Sequence, residues 1–306
     1  MNTIDQNINA EGPNTSLSIG DHDANLNGVN IHYRILGHGP LIFVMSPGWG
    51  IGSGYLQRGF IHLLDTFRMV FVDTRGSGRS ARPADQARMS SNDMAVDLEA
   101  LRAHLGLDTI SLLGHSNAGA IAISYAAKYP NRVKRLVLVG TQMLGSSAVS
   151  DTHAFLAARA QDPRYATAVT AAISLFSGEE TAIASDAEIS RVIATLLPLY
   201  LHRPEKYLAI ARAQLLDGQI SLYAFQGQNA ADKAEGINQI SLLDSIRAPT
   251  LIMSGRHDWI CPVSVAQRVR AGINQAQMVI FEESGHMPWI EEPERFTEVL
   301  LRFANE

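Results

Sequence analysis

Six short, nearly unbroken apolar runs punctuate the chain: LIFVMS at 41–46, MVFVD at 69–73, ISLLG at 110–114, RLVLVG at 135–140, TLIMSG at 250–255 and MVIFE at 278–282. Runs this short and continuous suit strands of a parallel sheet covered on both faces. Upstream, DANLNGVNIHYRILG alternates polar and apolar positions around Asn27-Gly28, which predicts a β-hairpin. Between the runs the apolar spacing lengthens to that of a helix. SSNDMAVDLEALRAHLGL opens with serines and Asp93, VSVAQRVRAGI follows the fifth run, and PERFTEVLLRFANE carries Pro293 at its start. Strands alternating with helices predict an α/β protein built on a doubly wound, mostly parallel sheet.

One stretch breaks that rhythm. From about 143 to 247 no strand pattern appears, only Ala- and Leu-rich helical patterns such as DTHAFLAARAQ, AEISRVIATLLPLYL and PEKYLAIARAQLL. The expected organisation is therefore a flexible tail at 1–20, a core made of 21–142 and 248–306, and a helical cap at 143–247. No fixed-period repeat or low-complexity tract is present.

Composition narrows the class. The 306 residues are 46% apolar and 18% charged, enough for a sizeable core, and the formal charge of −5 argues against nucleic acid and against a basic membrane-binding face. One cysteine, Cys261, rules out an internal disulfide and fits a reducing, cytoplasmic setting. The first 20 residues lack the apolar stretch of a signal peptide, and no run of 18 apolar residues suggests a membrane span. NTS at 14–16 matches a glycosylation acceptor, a chance match if the chain is not secreted, as expected here.

The third apolar run ends in GHSNAG, so Ser116 stands where a buried strand turns into a helix. A serine hydroxyl needs a base to become a nucleophile, and a tight strand–turn–helix needs small residues two before and two after it. Here these are Gly114 and Ala118, with Gly119 one later, a departure from the usual G-x-S-x-G. Taken alone, the pattern is more often that of a helix N-cap after a glycine turn. The other loops decide. Asp258 follows the strand at 250–255 in GRHDWICP, and His286 follows the strand at 278–282 in ESGHMPW. Serine, acid and histidine thus occur in that order, each at the carboxyl end of a strand, where open α/β sheets bind ligands. His257 is the neighbouring alternative to Asp258, but an acid is required there. The loop SPGWGIGSGYL at 46–56 is glycine-rich, so its backbone can approach a ligand closely. Gly48 is the candidate oxyanion donor from this loop, with Trp49 the near alternative, and Asn117 supplies the other N–H. Trp49 and His115 are candidate substrate contacts. The loop fits neither G-x-G-x-x-G nor a P-loop. His153, His202 and His257 are scattered and H-E-x-x-H is missing, so no metal and no cofactor are expected.

SPGWGIGSGYL, DTRGSGRS, GHSNAG, GRHDWICP and SGHMPWIEEPERF together resemble the α/β-hydrolase superfamily over roughly 25–142 and 248–306. Within it the chain is most similar to prolyl-aminopeptidase-like serine hydrolases, whose HGGPGxGS loop SPGWGIGS resembles. Ser46 and Pro47 stand where that family has His and Gly, and Asn117 where those peptidases carry Trp. The resemblance implies an acyl-enzyme mechanism on a small-molecule substrate. Those peptidases hold the substrate's free amine with acidic residues, and here the candidates are Glu179, Glu180, Asp186 and Glu188. A solvated helix face is the simpler role for these four. The expected substrate is a small or mid-sized hydrophobic ester, lactone, thioester or amide. The alternatives are a prolyl-type aminopeptidase and a non-hydrolytic cyclase, lyase or binding protein on the same fold. Oligomeric state is not legible.

Overall fold

The computed structural model describes residues 17–177, 183–215 and 218–306. A hairpin, β1 (Gly20–Leu26) and β2 (Val29–Leu36), turns at Asn27 and Gly28, whose φ angles are both positive (52° and 79°), as a tight two-residue turn requires. β3 (Leu41–Met45), β4 (Arg68–Val72), β5 (Ile110–His115), β6 (Val133–Val139), β7 (Thr250–Gly255) and β8 (Gln277–Phe281) match the six apolar runs. The eight strands form one sheet in the order β1-β2-β4-β3-β5-β6-β7-β8. β1 and β2 pair antiparallel, as do β2 and β4, and every other pair is parallel. The hairpin alternates buried and exposed positions because it forms the edge, whereas β5 and β7 are buried almost throughout. β1 begins at Gly20, so ordered structure reaches into the segment expected to be tail.

Helices cover both faces. α1 (Gly54–Gly59), α2 (Ser91–His104) and α3 (Asn117–Lys128) lie in the first half of the chain. Between β6 and β7 run α4 (Val149–Arg159), α5 (Ala166–Ser177), α6 (Asp186–Leu196), α7 (Pro204–Leu215) and α8 (Leu222–Glu235). α9 (Val263–Gly272), α10 (Pro288–Glu291) and α11 (Pro293–Asn305) complete the set. Among the described residues of 143–247 there is no strand. α11 buries Phe296, Val299, Leu300 and Phe303, an i, i+3, i+4, i+7 stripe, against the same sheet face as Phe43's strand neighbours Ile42 and Val44. α2, α3 and α9 bury the opposite face. A third apolar cluster lies in the β6–β7 segment and takes in Trp259 from the core.

One buried ion pair ties the loop after β4 to α2, and the hairpin turn bonds to it. Arg75 donates from Nε and Nη2 to the two carboxylate oxygens of Asp97 on α2, each at 2.6 Å, and from Nη1 to the Arg88 carbonyl. Asp97 also accepts from the Asn27 side-chain amide at 2.8 Å. Both charged side chains are under 7% exposed (3% and 6%), so removing one leaves the other buried and unpaired. Asp97→Ala is expected to lose about 3–5 kcal/mol of unfolding free energy by urea titration. A loss below about 1 kcal/mol would show that the pair does not hold the β4 loop to α2.

Candidate active site

β5 ends at His115 and α3 begins at Asn117, so Ser116 alone makes the turn. Its backbone lies at φ 58°, ψ −127°, a conformation costing a non-glycine residue on the order of 1–3 kcal/mol. Hydrogen bonds hold it there. The Ser116 N–H donates to the Val139 carbonyl at 3.0 Å, and the Ser116 carbonyl accepts from Gly119 and Gln142 at 2.9 and 3.0 Å. A Cβ on Gly114 would sit 2.5 Å from the Ala118 carbonyl oxygen, and one on Gly119 would sit 1.9 Å from Thr141 Oγ1. The positions that must lack a side chain are therefore 114 and 119. Ala118 is fully buried and fits, which accounts for the displaced glycine in GHSNAG.

Asp258 and His286 meet across two loops. His286 Nδ1 and Asp258 Oδ2 are 2.6 Å apart, and both side chains are buried. The other carboxylate oxygen of Asp258 accepts from the Ile260 and Cys261 amides at 3.1 and 2.9 Å. With Nδ1 turned to the carboxylate, Nε2 is the basic nitrogen. The pair has room because residue 140, at the end of β6, is glycine with φ 48°: a Cβ there would lie 3.0 Å from His286 Nδ1 and 3.1 Å from Asp258 Oδ2. The His286 loop is held from two sides. Its N–H donates to the Tyr200 carbonyl at 2.8 Å. The buried Glu291 carboxylate accepts from the amides of Gly285, His202 and Arg203. Burial pushes the Glu291 carboxyl upward in pKa, against the pull of those three amides. Ser116 and His286 line one cavity, and no hydrogen bond joins them.

His115 lines the cavity too, yet both its nitrogens are engaged. Nε2 donates to the His286 carbonyl at 3.1 Å, and Nδ1 accepts from the Tyr55 hydroxyl at 2.7 Å. Burial holds its pKa well below the usual value, so it is neutral. It offers a substrate a ring face, not a hydrogen bond.

The 46–53 loop is tied to α8. The Trp49 N–H donates to Gln228 Oε1 at 2.7 Å, which uses the donor weighed as the alternative to Gly48. A Cβ on Gly48, where φ is 72°, would sit 2.2 Å from that same oxygen. Among the described residues, neither the Gly48 N–H nor the Asn117 N–H meets an acceptor. The Asn117 side chain donates to the Pro47 carbonyl at 2.7 Å and so joins the two segments that carry these amides. Ser46, the departure from His, bonds Thr74 through its hydroxyl and through the Thr74 amide at 3.0 and 2.9 Å. Behind Gln228, its Nε2 donates to Ser91 Oγ at 3.3 Å, and Ser91 donates from N–H and Oγ to Asp232 at 2.6 and 2.9 Å.

Tyr55, Gly140, Tyr200, Gln228, Asp232 and Glu291 are the residues that motif reading missed. Gly140 ends a strand motif and could have been noticed. A lone glutamine or tyrosine on a helical pattern carries no signal.

The cavity wall is apolar: Ile51, Leu175, Phe176, Ile193, Leu196 and Phe225 are among its members, with Trp49 packed edge-on against Phe225. Its described lining contains no Asp, Glu, Lys or Arg. Asp186 and Glu188 are engaged away from the cavity. Asp186 pairs with Arg82 and accepts from the Leu222 amide, and Glu188 accepts from the Ala184 amide. Glu179 and Glu180 lie outside the described residues. Asp258, Cys261 and His286 are the one set of three among the described residues whose ligand atoms lie within 4.8 Å of one another.

This sheet order, with a strained serine between β5 and α3, coincides with a match of residues 42–293 to the family model described as alpha/beta hydrolase fold. The chain belongs to the α/β-hydrolase fold family. It is 28% identical to a proline iminopeptidase of Saccharolobus solfataricus, covering 95% of this chain and 94% of that protein. It is 29% identical to a 2-hydroxy-6-oxononadienedioate/2-hydroxy-6-oxononatrienedioate hydrolase of Pseudomonas putida, covering 90% and 91%. An esterase structure from Exiguobacterium antarcticum superposes with a TM-score of 0.69 at 23% identity, over 94% of this chain and 100% of that one. The α/β-hydrolase described here is thus an enzyme of hydrolytic lineage, similar to prolyl aminopeptidases in sequence.

Burial pushes the Asp232 carboxyl up to about 6 from 3.8, Ser91 opposes this, and Glu235 and Asp93 add to it. A raised carboxyl pKa means that the folded state prefers the proton, so ionisation of Asp232 costs stability. That cost is absent below about pH 4, grows as pH rises towards 6 and is complete above it. Asp232→Asn is expected to gain on the order of 2 kcal/mol relative to the parent between pH 4 and pH 7 in urea titrations. An equal difference at both pH values would show that Asp232 is not the titrating group.

Proposed function

We propose that this α/β-hydrolase cleaves a neutral, largely apolar ester, lactone, thioester or amide through an acyl-enzyme. The observation that carries this is His286, bonded to the buried Asp258, lining with Ser116 a cavity whose described wall has no Asp, Glu, Lys or Arg. Ser116 attacks the acyl carbon. His286 takes the serine proton through Nε2 and passes it to the leaving group. Asp258 fixes the imidazole with its proton on Nδ1 and stabilises the imidazolium. The oxyanion that forms is received by the Asn117 and Gly48 amides. Water, deprotonated by His286, then releases the acid and restores the serine. The helical segment 143–247 serves as a cap, since Leu175, Phe176, Ile193 and Leu196 from it close the cavity over Ser116.

A prolyl-type aminopeptidase is the second possibility, favoured by relatives named proline iminopeptidase. Such a substrate brings an ammonium group, and burying one without a carboxylate is costly. The described cavity wall offers none, which ranks the neutral substrate first.

A fluorophosphonate probe is expected to add once to the parent and not to Ser116→Ala. Activity on p-nitrophenyl butyrate should fall at least 10³-fold in Ser116→Ala and about 10⁴-fold in Asp258→Asn. Faster turnover of proline naphthylamide than of any ester would put the aminopeptidase ahead. A folded Ser116→Ala with full activity would sink the mechanism.

A further inference from the structure

Beside the reaction cavity lies a second, larger space. The cavity at Ser116 has about 70 Å³ of free volume, whereas the adjoining groove between α4, α5 and the loop after β7 has about 630 Å³. The two share Trp49, Gln142, Phe176 and Ile260 as common walls. So small a cavity holds the reacting group and little else. The rest of any mid-sized substrate must leave it through one of its walls.

Two directions are open. Across Ile51, Tyr55 and Leu215 lies a polar space of about 310 Å³ whose rim carries Asp21, Arg34, Asp73 and Arg79. An apolar chain placed there would strip water from the Asp21–Arg34 and Asp21–Arg79 pairs and offer them no hydrogen bond in return. Across Phe176 and Ile260 lies the groove, walled by Met143, Leu156 and Trp259. Three large apolar side chains on it stay exposed to water: Val149 at 57%, Ile173 at 52% and Phe176 at 57%. A cluster of this kind next to a reaction site marks a binding surface more often than an accident of folding.

Building on the nucleophile assigned above to Ser116, we propose that the groove holds an extended apolar arm of the substrate. The reactive carbonyl sits at Ser116, and an alkyl or aryl chain passes between Phe176 and Ile260 onto Val149 and Ile173. The preferred substrates are therefore compounds with a long apolar chain on one side of the reactive carbonyl, not short ones. The arm can belong to the acyl half or to the leaving alcohol. The chemistry of the groove is the same for both.

Two homologous series separate these sources: p-nitrophenyl esters with acyl chains from two to twelve carbons, and butyrates of alcohols from ethanol to decanol. In one series kcat/KM is expected to rise about three- to four-fold per methylene until the groove is filled. In Val149→Asp and Ile173→Asp the ratio of longest to shortest ester should drop at least ten-fold. Ile240→Asp, at an exposed apolar position outside the groove (48% exposed), should keep the parent ratio. A flat profile in both series, with fluorophosphonate labelling of Ser116 intact, overturns the arm and leaves the nucleophile standing. Failure of the parent to label overturns the nucleophile and the arm with it. An unchanged ratio in both aspartate variants also overturns the proposal. If Ile173→Asp then turned a sedimenting dimer into a monomer, the groove would belong to a second copy of the chain.

Discussion

At Ser116 a buried strand has to become a helix within one residue, and the side chain that makes the turn must still reach the cavity. L-residues avoid φ near +58°, so the conformation persists only because its surroundings over-determine it. β6 supplies a carbonyl to the Ser116 amide, and the segment after β6 donates the Gln142 amide to the Ser116 carbonyl. Gly114 and Gly119 remove the two side chains that would block the turn. The parallel pairing of β5 with β6 is thus more than scaffolding: it keeps the strained residue in place. Close approach recurs at Gly140, where the same strand β6 ends and makes room for Asp258 and His286. One strand therefore sets both ends of the proposed catalytic line.

Much of this was legible in the sequence because it rests on local rules. The apolar runs located β3 to β8, and Asn27-Gly28 located the hairpin turn. The order of Ser116, Asp258 and His286 along the chain singled out residues that the fold gathers around one cavity or its edge. What escaped were partners chosen by tertiary packing. Gln228 is an ordinary residue of an ordinary helix until α8 docks against the 46–53 loop. His115 looked like a substrate contact because it precedes the serine, and nothing local announces that Tyr55 and the His286 carbonyl occupy both its nitrogens. Helix boundaries at 166–177 and 222–235 were missed because alanine-rich, weakly amphipathic segments give little periodicity to read.

The glutamates of the IEEPERF stretch illustrate how a charge is read differently once its surroundings are known. Glu291 and Glu292 lie beside a helix start and look like solvated N-terminal acids. Glu291 is instead buried and gathers three backbone amides, two from the end of the 197–203 segment and one from Gly285. Glu292 takes the Glu283 amide and the Ser284 hydroxyl. The loop that delivers His286 is therefore fixed by carboxylates that never face the cavity.

These bonds couple the helical segment to the chemistry. The Tyr200 carbonyl receives the His286 amide, Glu291 grips His202 and Arg203 together with Gly285, and Gln228 on α8 takes the Trp49 amide beside Gly48. Tyr200, His202, Arg203 and Gln228 thus tie the helical segment to the His286 loop and to the 46–53 loop, and two of those ties depend on particular side chains, Glu291 and Gln228. Phe176 and Leu196 face the cavity and take no part in those ties, so they can vary without disturbing the proposed catalytic groups. A hydrolase built in this way can change what it binds while keeping how it cuts.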